Sequence, residues 1–302
     1  VLGKGYISSK LEKYWSLDKD GYNLVRVSRS EFDYLVDLDK LIEKYNPVFV
    51  VNCYGFTGKP NVDSCEDHKT ECFQRNVKDT YNLLCDCIEK KVNFITISTG
   101  CVFNDESGVV FTEESDHNFG HKNPTASTYS ITKSWFEMNF KSRSDKFIER
   151  DICSDNYLLR IRMPFDNEMD DKNYINKIIK YDKLVNYQNS VTYVPDLVKF
   201  IEIVVQGGLE SGIYNVVNEN PITAERVLEI YKGVTGIEKK VDRWYSTDDL
   251  LSMGLMKCRR SNCVLSTDKI KKYYPELHTS EFAVRDALES WRCIEEKYRE
   301  DV

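Results

Sequence analysis

The chain has 302 residues, of which 41% are hydrophobic and 30% are charged, and its formal net charge is −7. This length is enough for one large domain or two interleaved ones with a sizeable core. The negative charge argues against nucleic acid or an anionic membrane as a partner, because both favour basic surfaces. No apolar run approaches the ~20 residues needed to cross a bilayer, and the start carries no signal-peptide pattern.

Ten cysteines are scattered along the chain without a CxxC pair. The length excludes a small disulfide scaffold and the spacing excludes a zinc ribbon, so we expect no metal site. A reducing, cytoplasmic location is the simplest interpretation, with most of the thiols acting as small core residues. The cysteines are Cys53, Cys65, Cys72, Cys85, Cys87, Cys101, Cys153, Cys258, Cys263 and Cys293.

The first half of the chain alternates between two kinds of segment. Short apolar runs rich in β-branched residues occur at 23–27, 48–53, 93–99 and 157–163, and helical patterns lie at 7–17, 37–45, 72–91 and 127–142. Strand followed by helix followed by strand indicates βαβ units. We therefore predict an α/β fold with a doubly wound (Rossmann) parallel sheet.

Beyond residue 165 the pattern becomes looser and more helical. Helices are predicted at 173–184, 193–208, 223–236 and 282–298, and a further strand at 212–218. We expect residues 1–164, rejoined by 190–218, to form a dinucleotide-binding domain. Residues 165–189 and 219–302 are expected to form a smaller, mostly helical C-terminal substrate domain.

A glycine-rich turn, LGKGYISSKL, stands between the remnant of a first strand and the first helix, in the pattern G-x-G-x-x-S. Glycines in such a turn let backbone N–H groups approach a pyrophosphate at the helix N-terminus. The candidate cofactor contacts here are Gly3, Gly5, Tyr6 and Ile7. An ordinary glycine-rich loop is the alternative.

The second predicted strand ends in VRVSRS, without an acidic residue. A carboxylate at that position would bind a ribose 2′-hydroxyl, whereas Arg29 with Ser28 beside it suits a 2′-phosphate. This favours NADPH as the cofactor and leaves NADH open. A solvated surface arginine is the competing interpretation of Arg29.

A Tyr/Lys pair, Tyr129 and Lys133 in YSITK, lies one helical turn apart on one face. The same spacing also joins Tyr6 to Lys10, so position carries the argument. Tyr129 follows a loop that starts where the strand of Thr99 ends, on the cofactor side of a parallel sheet. A nearby ammonium favours the phenolate, so that the tyrosine can exchange a proton with a carbonyl or alcohol.

The segment ISTGCVF (97–103) is predicted to end a buried strand. Thr99 and Cys101 are two residues apart and would therefore share one strand face. A small buried thiol is the usual role of a cysteine, but the register with Thr99 favours a functional one.

These residues have the pattern of a known family. Gly3-x-Gly5, NCYG (52–55), Thr99 and Tyr129/Lys133 together resemble an extended short-chain dehydrogenase/reductase. Four stretches are similar to its branch that makes nucleotide-linked L-rhamnose, above all to UDP-4-keto-6-deoxyglucose 3,5-epimerase/4-reductases and less closely to dTDP-4-dehydrorhamnose reductases. They are GFTGKPNVDSCEDHK (55–69), STGCVF (98–103), RIRMPF (160–165) with NYINKI (173–178), and RRSNCVLSTDKI (259–270).

The resemblance implies a role for each matching residue. Thr99, Tyr129 and Lys133 would form the reductase triad, and Cys101 with Lys177 the acid–base pair for epimerisation. Purely reductive relatives have tyrosine at the position of Cys101, which favours the bifunctional hypothesis. The chain departs from the family pattern where Ser8 replaces the last glycine of the turn.

Further contacts are implied by the same resemblance. Arg260 would bind the substrate diphosphate, a task suited to a bidentate guanidinium, with Arg259 as a competitor. A charged surface loop is the alternative for the loop residues. The implied substrate contacts are Thr57, Lys59, Val62 and Thr99, with Asp63 beside them, and the implied cofactor contacts are Cys53, Tyr54 and Gly55.

The sequence thus predicts a bifunctional enzyme that converts UDP-4-keto-6-deoxy-D-glucose to UDP-L-rhamnose with NADPH. The alternatives are a 4-keto sugar-nucleotide reductase alone and a non-catalytic dinucleotide-binding regulatory subunit. The expected small-molecule partner is a nucleotide sugar, with UDP against dTDP left open. A homodimer through a bundle of the helices at 68–90 and 127–142 is a further expectation.

Overall fold

The computed structural model describes residues 1–30, 33, 35–59, 61–148 and 154–300, and describes side chains in these ranges except at 19, 144–148 and 292–300. The expectation for the thiols of Cys153 and Cys293 falls outside what is described. The α-helices are α1 (Tyr6–Tyr14), α2 (Leu38–Tyr45), α3 (Ser64–Asp67), α4 (Lys69–Phe73), α5 (Thr80–Glu89), α6 (Thr128–Ile148), α7 (Tyr174–Lys180), α8 (Val194–Gln206), α9 (Ala224–Thr235), α10 (Thr247–Ser252), α11 (Asp268–Lys271) and α12 (Ser280–Glu300). The strands are β1 (Phe49–Asn52), β2 (Asn93–Thr99), β3 (Val110–Phe111), β4 (Asn156–Ile161), β5 (Pro164–Phe165), β6 (Thr192–Tyr193), β7 (Gly212–Asn215) and β8 (Val264–Leu265).

A parallel sheet in the order β1-β2-β4-β7 forms the centre of the fold. Its free β1 edge is extended by Leu2, whose backbone bridges both Asn52 and Val27. Leu2 therefore lies between Val27 on one side and β1 on the other. The strand order reverses at Leu2, because the next segment of the chain adds on one side and the later strands add on the other. Open α/β sheets carry their ligand sites at the carboxyl ends of the strands beside such a reversal.

Helices cover both faces of this sheet. Successive strand residues point to opposite faces and therefore pack against different helices. Phe94 and Leu158 pack with α2, α5 and α6, whereas Ile95 and Leu159 pack with α1 and α8. Each fully buried side chain of this kind contributes roughly 1.5–3 kcal/mol. The predicted α/β parallel sheet is confirmed.

The prediction for the second strand was too long. Val27 alone of residues 23–27 bridges the sheet, where its carbonyl accepts the Gly3 N–H at 2.9 Å. The other predicted strands are present as β1, β2, β4 and β7, and β2 has the predicted bounds.

The predicted helix over 72–91 is interrupted. A π-helical segment, Gln74–Asp79, separates α4 from α5. The helix predicted at 7–17 ends at Tyr14 and is followed by a 3₁₀ turn, and the helix predicted at 173–184 ends at Lys180. Gly207 ends α8 with a φ of 90°, a conformation that favours glycine.

A separate apolar cluster lies in the second half of the chain. It includes Phe165, Ile175, Val227, Ala283 and Leu288, contributed by β5, α7, α9 and α12. Two short parallel pairs, β5 with β6 and β3 with β8, form separate two-stranded sheets, and the second of them joins the two halves of the chain. Among the helices that are described, none is both long enough and apolar enough to pass through a bilayer.

A buried ion pair attaches α6 to the sheet. Arg160 of β4 donates through Nε to Glu137 at 3.1 Å and also through Nη2, and His117 Nε2 lies 2.7 Å from the same carboxylate. Burial works to raise the pKa of Glu137, but the Arg160 guanidinium and His117 hold it at about 2. Arg160 and Glu137 are fully buried, so neither charge is compensated by water.

We predict that Glu137→Gln lowers the free energy of unfolding by about 3–5 kcal/mol, because it leaves the Arg160 charge buried without a partner. Urea denaturation at pH 7 measures this. Glu229→Gln, which breaks an exposed pair with Arg226, is the control and should cost at most about 1 kcal/mol. Since the folded pKa of Glu137 lies below its unfolded value of about 4.3, its stabilisation is present above that pH and is lost as pH falls towards 2. Equal losses of unfolding free energy in Glu137→Gln and Glu229→Gln would contradict the stabilising role of the buried ion pair.

Candidate active site

The glycine turn leads from the edge of the sheet into α1. Gly3 has a φ of +113°, and a Cβ there would lie 3.3 Å from the Cys53 carbonyl oxygen, so the position requires glycine. Gly5 is the N-cap of α1 and provides no side chain to cap it, while a Cβ on it would meet nothing within 4 Å. The first backbone N–H groups of a helix, here including those of Tyr6 and Ile7, have no partner within the helix. This end of α1 fits a diphosphate.

Ser8 and Tyr6 stabilise the turn from its inner side. Ser8, where the fingerprint has its third glycine, is fully buried and donates to the Gly5 carbonyl at 2.9 Å. The Tyr6 hydroxyl donates to Asp166 at 2.9 Å, and burial followed by the Asp166 charge raises its pKa. The Tyr6 side chain therefore points to the second half of the chain, and its backbone remains the part available to a ligand.

Arg29 lies beside the turn, about half exposed. Its Nη1 donates to the Tyr54 hydroxyl at 3.0 Å, and its Nε lies 3.3 Å from Asp33. The hydroxyls of Ser28 and Ser30 are 2.9 Å apart next to it. Guanidinium and hydroxyl groups in this arrangement fit a phosphorylated ribose.

A second guanidinium, which the sequence analysis missed, also lies near the ring of Tyr54. Arg75 lies 6.0 Å from the Tyr54 ring centre and 5.6 Å from that of Phe56. Two guanidinium groups near one aromatic ring suit the phosphate and the base of a nucleotide. The sequence shows Arg75 only as an arginine in the helix after NCYG, and no pattern distinguishes it from a surface residue.

The NCYG segment connects the turn to the catalytic candidates. Asn52 accepts the Tyr54 N–H at 3.0 Å, and burial raises the pKa of the Cys53 thiol to about 12. A Cβ on Gly55 would lie 3.1 Å from Asn76 and 3.8 Å from the Lys133 ammonium. Gly55 thus keeps the space in front of Lys133 clear.

Asn76 is a further residue that the sequence analysis missed. It is fully buried in the π-helical segment and makes two hydrogen bonds to the backbone of Phe56, at 2.7 and 2.9 Å. Its amide also donates to Thr132 at 3.2 Å. A π-helical turn often marks a functional site, and here it fixes the loop that follows Gly55.

The structure brings Thr99, Tyr129 and Lys133 together. Thr99 ends β2, the Tyr129 phenol lies beside its hydroxyl, and the Lys133 ammonium donates to the Ile97 carbonyl at 3.3 Å. Burial lowers the pKa of Lys133 to about 8, although the thiols of Cys72 and Cys101 oppose that change. Lys133 therefore keeps its proton at pH 7 and loses it as pH rises through about 8.

The expected influence of Lys133 does not make Tyr129 a phenolate at neutral pH in the chain without a ligand. Burial raises the pKa of Tyr129, the Cys101 thiol raises it further, and the hydrogen bond from Thr99 only partly opposes them. The phenol is therefore neutral at pH 7. A neutral phenol can donate a proton or a hydrogen bond to an oxygen placed beside Thr99.

Cys101 does not share a strand face with Thr99, which corrects the prediction from alternation. The strand stops at Thr99, and Gly100–Val102 form a 3₁₀ turn in which the Cys101 N–H donates to Thr99 Oγ1 at 3.1 Å. The turn still places the sulfur beside the triad. Cys101 is half-buried, and its Sγ accepts from Arg162 Nη1 at 2.9 Å, a contact that the sequence analysis did not foresee.

Lys177 lies on α7, which is capped by Asn173 accepting the Ile175 N–H at 3.0 Å. Burial and the Lys172 charge lower the pKa of Lys177, against the effect of Asp170 and Asp171. Within the described part of the chain its ammonium makes no hydrogen bond or ion pair, so no direct contact joins it to Cys101. A lowered pKa makes the ammonium a better proton donor.

The two candidate arginines near the C-terminus face different neighbours. Arg260 pairs with Asp63 at 2.7 Å and donates to Cys258 at 3.2 Å. Arg259 pairs with the exposed Asp248. Arg260 is therefore the one that faces the predicted substrate loop, where Val62 is half-buried and Thr57 and Lys59 are exposed.

Comparison with known proteins finds relatives whose sequences align with most of the chain. A bifunctional dTDP-4-dehydrorhamnose 3,5-epimerase/reductase from Arabidopsis thaliana is 33% identical over 243 residues, which are 78% of this chain and 74% of that protein. A trifunctional UDP-glucose 4,6-dehydratase/UDP-4-keto-6-deoxy-D-glucose 3,5-epimerase/UDP-4-keto-L-rhamnose reductase from the same plant is also 33% identical over 243 residues, 78% of this chain and 34% of that protein. The chain thus spans about a third of the length of the trifunctional relative.

Solved structures share the fold. The UDP-rhamnose synthase from Acanthamoeba polyphaga mimivirus superposes with a TM-score of 0.79 at 23% identity, covering 96% of this chain and 98% of that one. A dTDP-4-dehydrorhamnose reductase from Bacillus anthracis, solved with NADP, gives 0.72 at 15% identity, covering 94% and 95%.

The family comparison matches residues 3–227 to the RmlD substrate binding domain. This region includes the glycine turn, Thr99, Cys101, Tyr129, Lys133 and Lys177. Since it covers well over half of the 302 residues, the chain belongs to the RmlD substrate-binding-domain family.

Proposed function

We propose that the chain is a bifunctional 3,5-epimerase/4-reductase that converts UDP-4-keto-6-deoxy-D-glucose to UDP-L-rhamnose with NADPH. The observation that carries the proposal is the arrangement at the end of β2, where the Thr99 hydroxyl, the Tyr129 phenol and the Cys101 sulfur lie together. The hydroxyl and the phenol can hold one carbonyl oxygen, and the sulfur would then reach the protons on the neighbouring ring carbons. Relatives with both activities in their names support this combination.

NADPH fits the residues of the chain's first half. Gly3, Gly5 and the start of α1 would hold its diphosphate, and Ser28 with Arg29 its 2′-phosphate. The structural likeness to a reductase solved with NADP supports the same choice. When bound, NADPH supplies the hydride for the C4 carbon of the sugar.

Epimerisation uses the acidity that the C4 ketone gives to the C3 and C5 protons. Cys101 as thiolate removes such a proton, the C–H electron pair forms the enolate, and its charge develops on the C4 oxygen. The hydroxyl groups of Thr99 and Tyr129, which are already positioned before the reaction, would stabilise that oxygen by hydrogen bonds. Lys177 then returns a proton to the opposite face of the same carbon.

Reduction uses the same two groups for a second purpose. Tyr129 is neutral at pH 7 because burial raises its pKa, so it can give its proton to the C4 oxygen when hydride reaches C4. Lys133, which is protonated below about pH 8, stabilises the phenolate that remains. The bulk proton pool then restores Tyr129.

Substrate binding is proposed for the second half of the chain and the loop that faces it. Arg260 would bind the diphosphate of the nucleotide sugar, with Thr57, Lys59 and Val62 of the loop as further contacts. Asp63 pairs with the Arg260 guanidinium and holds it towards this loop. The division into a dinucleotide domain (1–164 and 190–218) and a substrate domain (165–189 and 219–302) remains a prediction, as do the cytoplasmic location and the homodimer.

We predict that incubation with UDP- or dTDP-4-keto-6-deoxyglucose and NADPH in D₂O places deuterium at C3 and C5 of the product as NADPH is consumed. Cys101→Ser should lower this incorporation by at least about 100-fold, the scale of a general base, while reduction of an already epimerised sugar continues. Cys85→Ser, a half-buried thiol on α5, is the matched control. NMR of the product and absorbance at the NADPH band measure both halves.

The competing functions give different results in this experiment. A reductase alone would oxidise NADPH with the epimerised sugar and would leave C3 and C5 without deuterium. A regulatory subunit would bind NADPH and consume none with any of these sugars. If Cys101→Ser still incorporates deuterium at C3 and C5 in full, the proposed role of the Cys101 sulfur is wrong.

We predict that Arg29→Ala weakens NADPH binding by about 10- to 100-fold, since it removes charge-assisted hydrogen bonds to the 2′-phosphate worth about 1.5–3 kcal/mol. NADH binding should change little. Arg26→Ala, which removes a guanidinium three residues earlier that pairs with Glu12, is the control. Fluorescence titration with both dinucleotides measures the effect, and equal weakening of the two would contradict a contact to the 2′-phosphate.

A further inference from the structure

Arg162 follows β4 and lies beneath Cys101. It is only 4% exposed, and its Nη1 donates to Cys101 Sγ at 2.9 Å. Its Nη2 donates to Asn189 Oδ1 at 2.7 Å and to the Ser261 carbonyl. The guanidinium is therefore held rigidly by neutral acceptors on two sides and meets the sulfur on the third.

No carboxylate among the described residues pairs with this guanidinium. Arg160, two residues earlier and equally buried, pairs with Glu137, so the chain compensates one buried arginine and leaves the other without an acid. Arg162 Nε also has no partner within the described part of the chain. A buried cation of this kind is costly unless an anion lies beside it.

Three ionisable groups surround Arg162, and two of them stay neutral. Burial raises the pKa of Tyr174 to about 12. Burial also raises the pKa of Cys263, whose thiol donates to the Gly100 carbonyl at 3.3 Å. Cys101 is the remaining group, and its sulfur is the one that receives a hydrogen bond from the guanidinium.

We propose that Arg162 is a positioning residue that holds Cys101 as a thiolate aimed at the substrate during epimerisation. The inference rests on the proposed function. In the step it supports, the thiolate gains the proton from C3 or C5 as an S–H bond, and the C–H electron pair passes to the C4 oxygen as an enolate. Arg162 gains and loses no proton, and the new C–H bond forms with the proton of Lys177.

The other groups that face Cys101 decide how large the effect can be. Tyr129 and Lys133 approach from α6, and Lys133 carries a second positive charge below about pH 8. Cys263 approaches from the segment before β8, and Tyr174 faces Arg162 from α7. Removing Arg162 should therefore weaken the thiolate without abolishing it, since Lys133 remains.

The test measures alkylation of Cys101 by iodoacetamide across pH 5–10, read by mass spectrometry on its own peptide so that other thiols do not interfere. Arg162→Gln and Arg162→Met should lower the rate at pH 7 about tenfold. Arg162→Lys should keep most of the rate because it keeps the charge. Arg226→Met, at an exposed arginine of α9, is the control and should match the unaltered chain.

Deuterium exchange at C3 and C5 is the second readout. At pH 7 it should fall about tenfold in Arg162→Gln and recover as pH rises, while reduction of an epimerised sugar changes little. NADPH binding and the melting temperature verify that each variant is folded. If Arg162→Met fails to fold, Arg162→Gln decides, since it keeps a hydrogen-bonding side chain while it removes the charge.

Either of two outcomes would overturn the inference. One is an alkylation profile that is the same with and without the arginine. The other is an equal loss of exchange and reduction, which would make Arg162 a structural residue. Because alkylation needs no substrate, it tests Arg162 even if the unaltered chain shows no exchange and the proposed epimerase activity is wrong.

Discussion

The abrupt end of β2 at Thr99 is the constraint on which the site depends. If the strand continued, Cys101 would take its place in the alternation and its backbone N–H would face the sheet. Instead, the Cys101 N–H donates to the Thr99 hydroxyl in a 3₁₀ turn. Gly100 makes the turn feasible, because a Cβ there would lie 2.8 Å from Leu265 of β8. A hydroxyl has one donor and two acceptor positions, so Thr99 can cap the turn and still bind a ligand oxygen.

Buried positive charge is the second feature that separates this site from an ordinary sheet edge. Arg160, Arg162 and Lys133 are all less than a tenth exposed, yet only Arg160 has a carboxylate partner among the described residues. The structural cation is thus neutralised, and the two cations beside Cys101 and Tyr129 are not. Such an arrangement costs stability in the free chain and favours anions that form during reaction, such as a thiolate, a phenolate or an enolate.

The nucleotide turn and the helix of Lys177 are joined through Asp166. This fully buried carboxylate accepts from Tyr6 at 2.9 Å and pairs with Lys10 at 2.7 Å, both on α1. Asn173, the N-cap of α7, donates to the Asp166 carbonyl at 3.0 Å. The position of α7 therefore depends on the same contacts that fix the start of α1. A dinucleotide held by that turn would be bound at a defined distance from Lys177, although the two lie on different halves of the chain.

The sequence predicts much of this because its patterns are local. Strand β2, the glycine turn and the spacing of Tyr129 and Lys133 each depend on neighbours in the chain, and they were found. The π-helical segment with Asn76 was not, because its extra residue is stabilised by a distant loop and not by its own pattern. Arg162 shows what signal was available. The run YLLRIRM carries two arginines in a segment predicted to be a buried strand, and a buried arginine requires a partner. Glu137 is the partner of Arg160, and the Cys101 sulfur is the group that contacts Arg162.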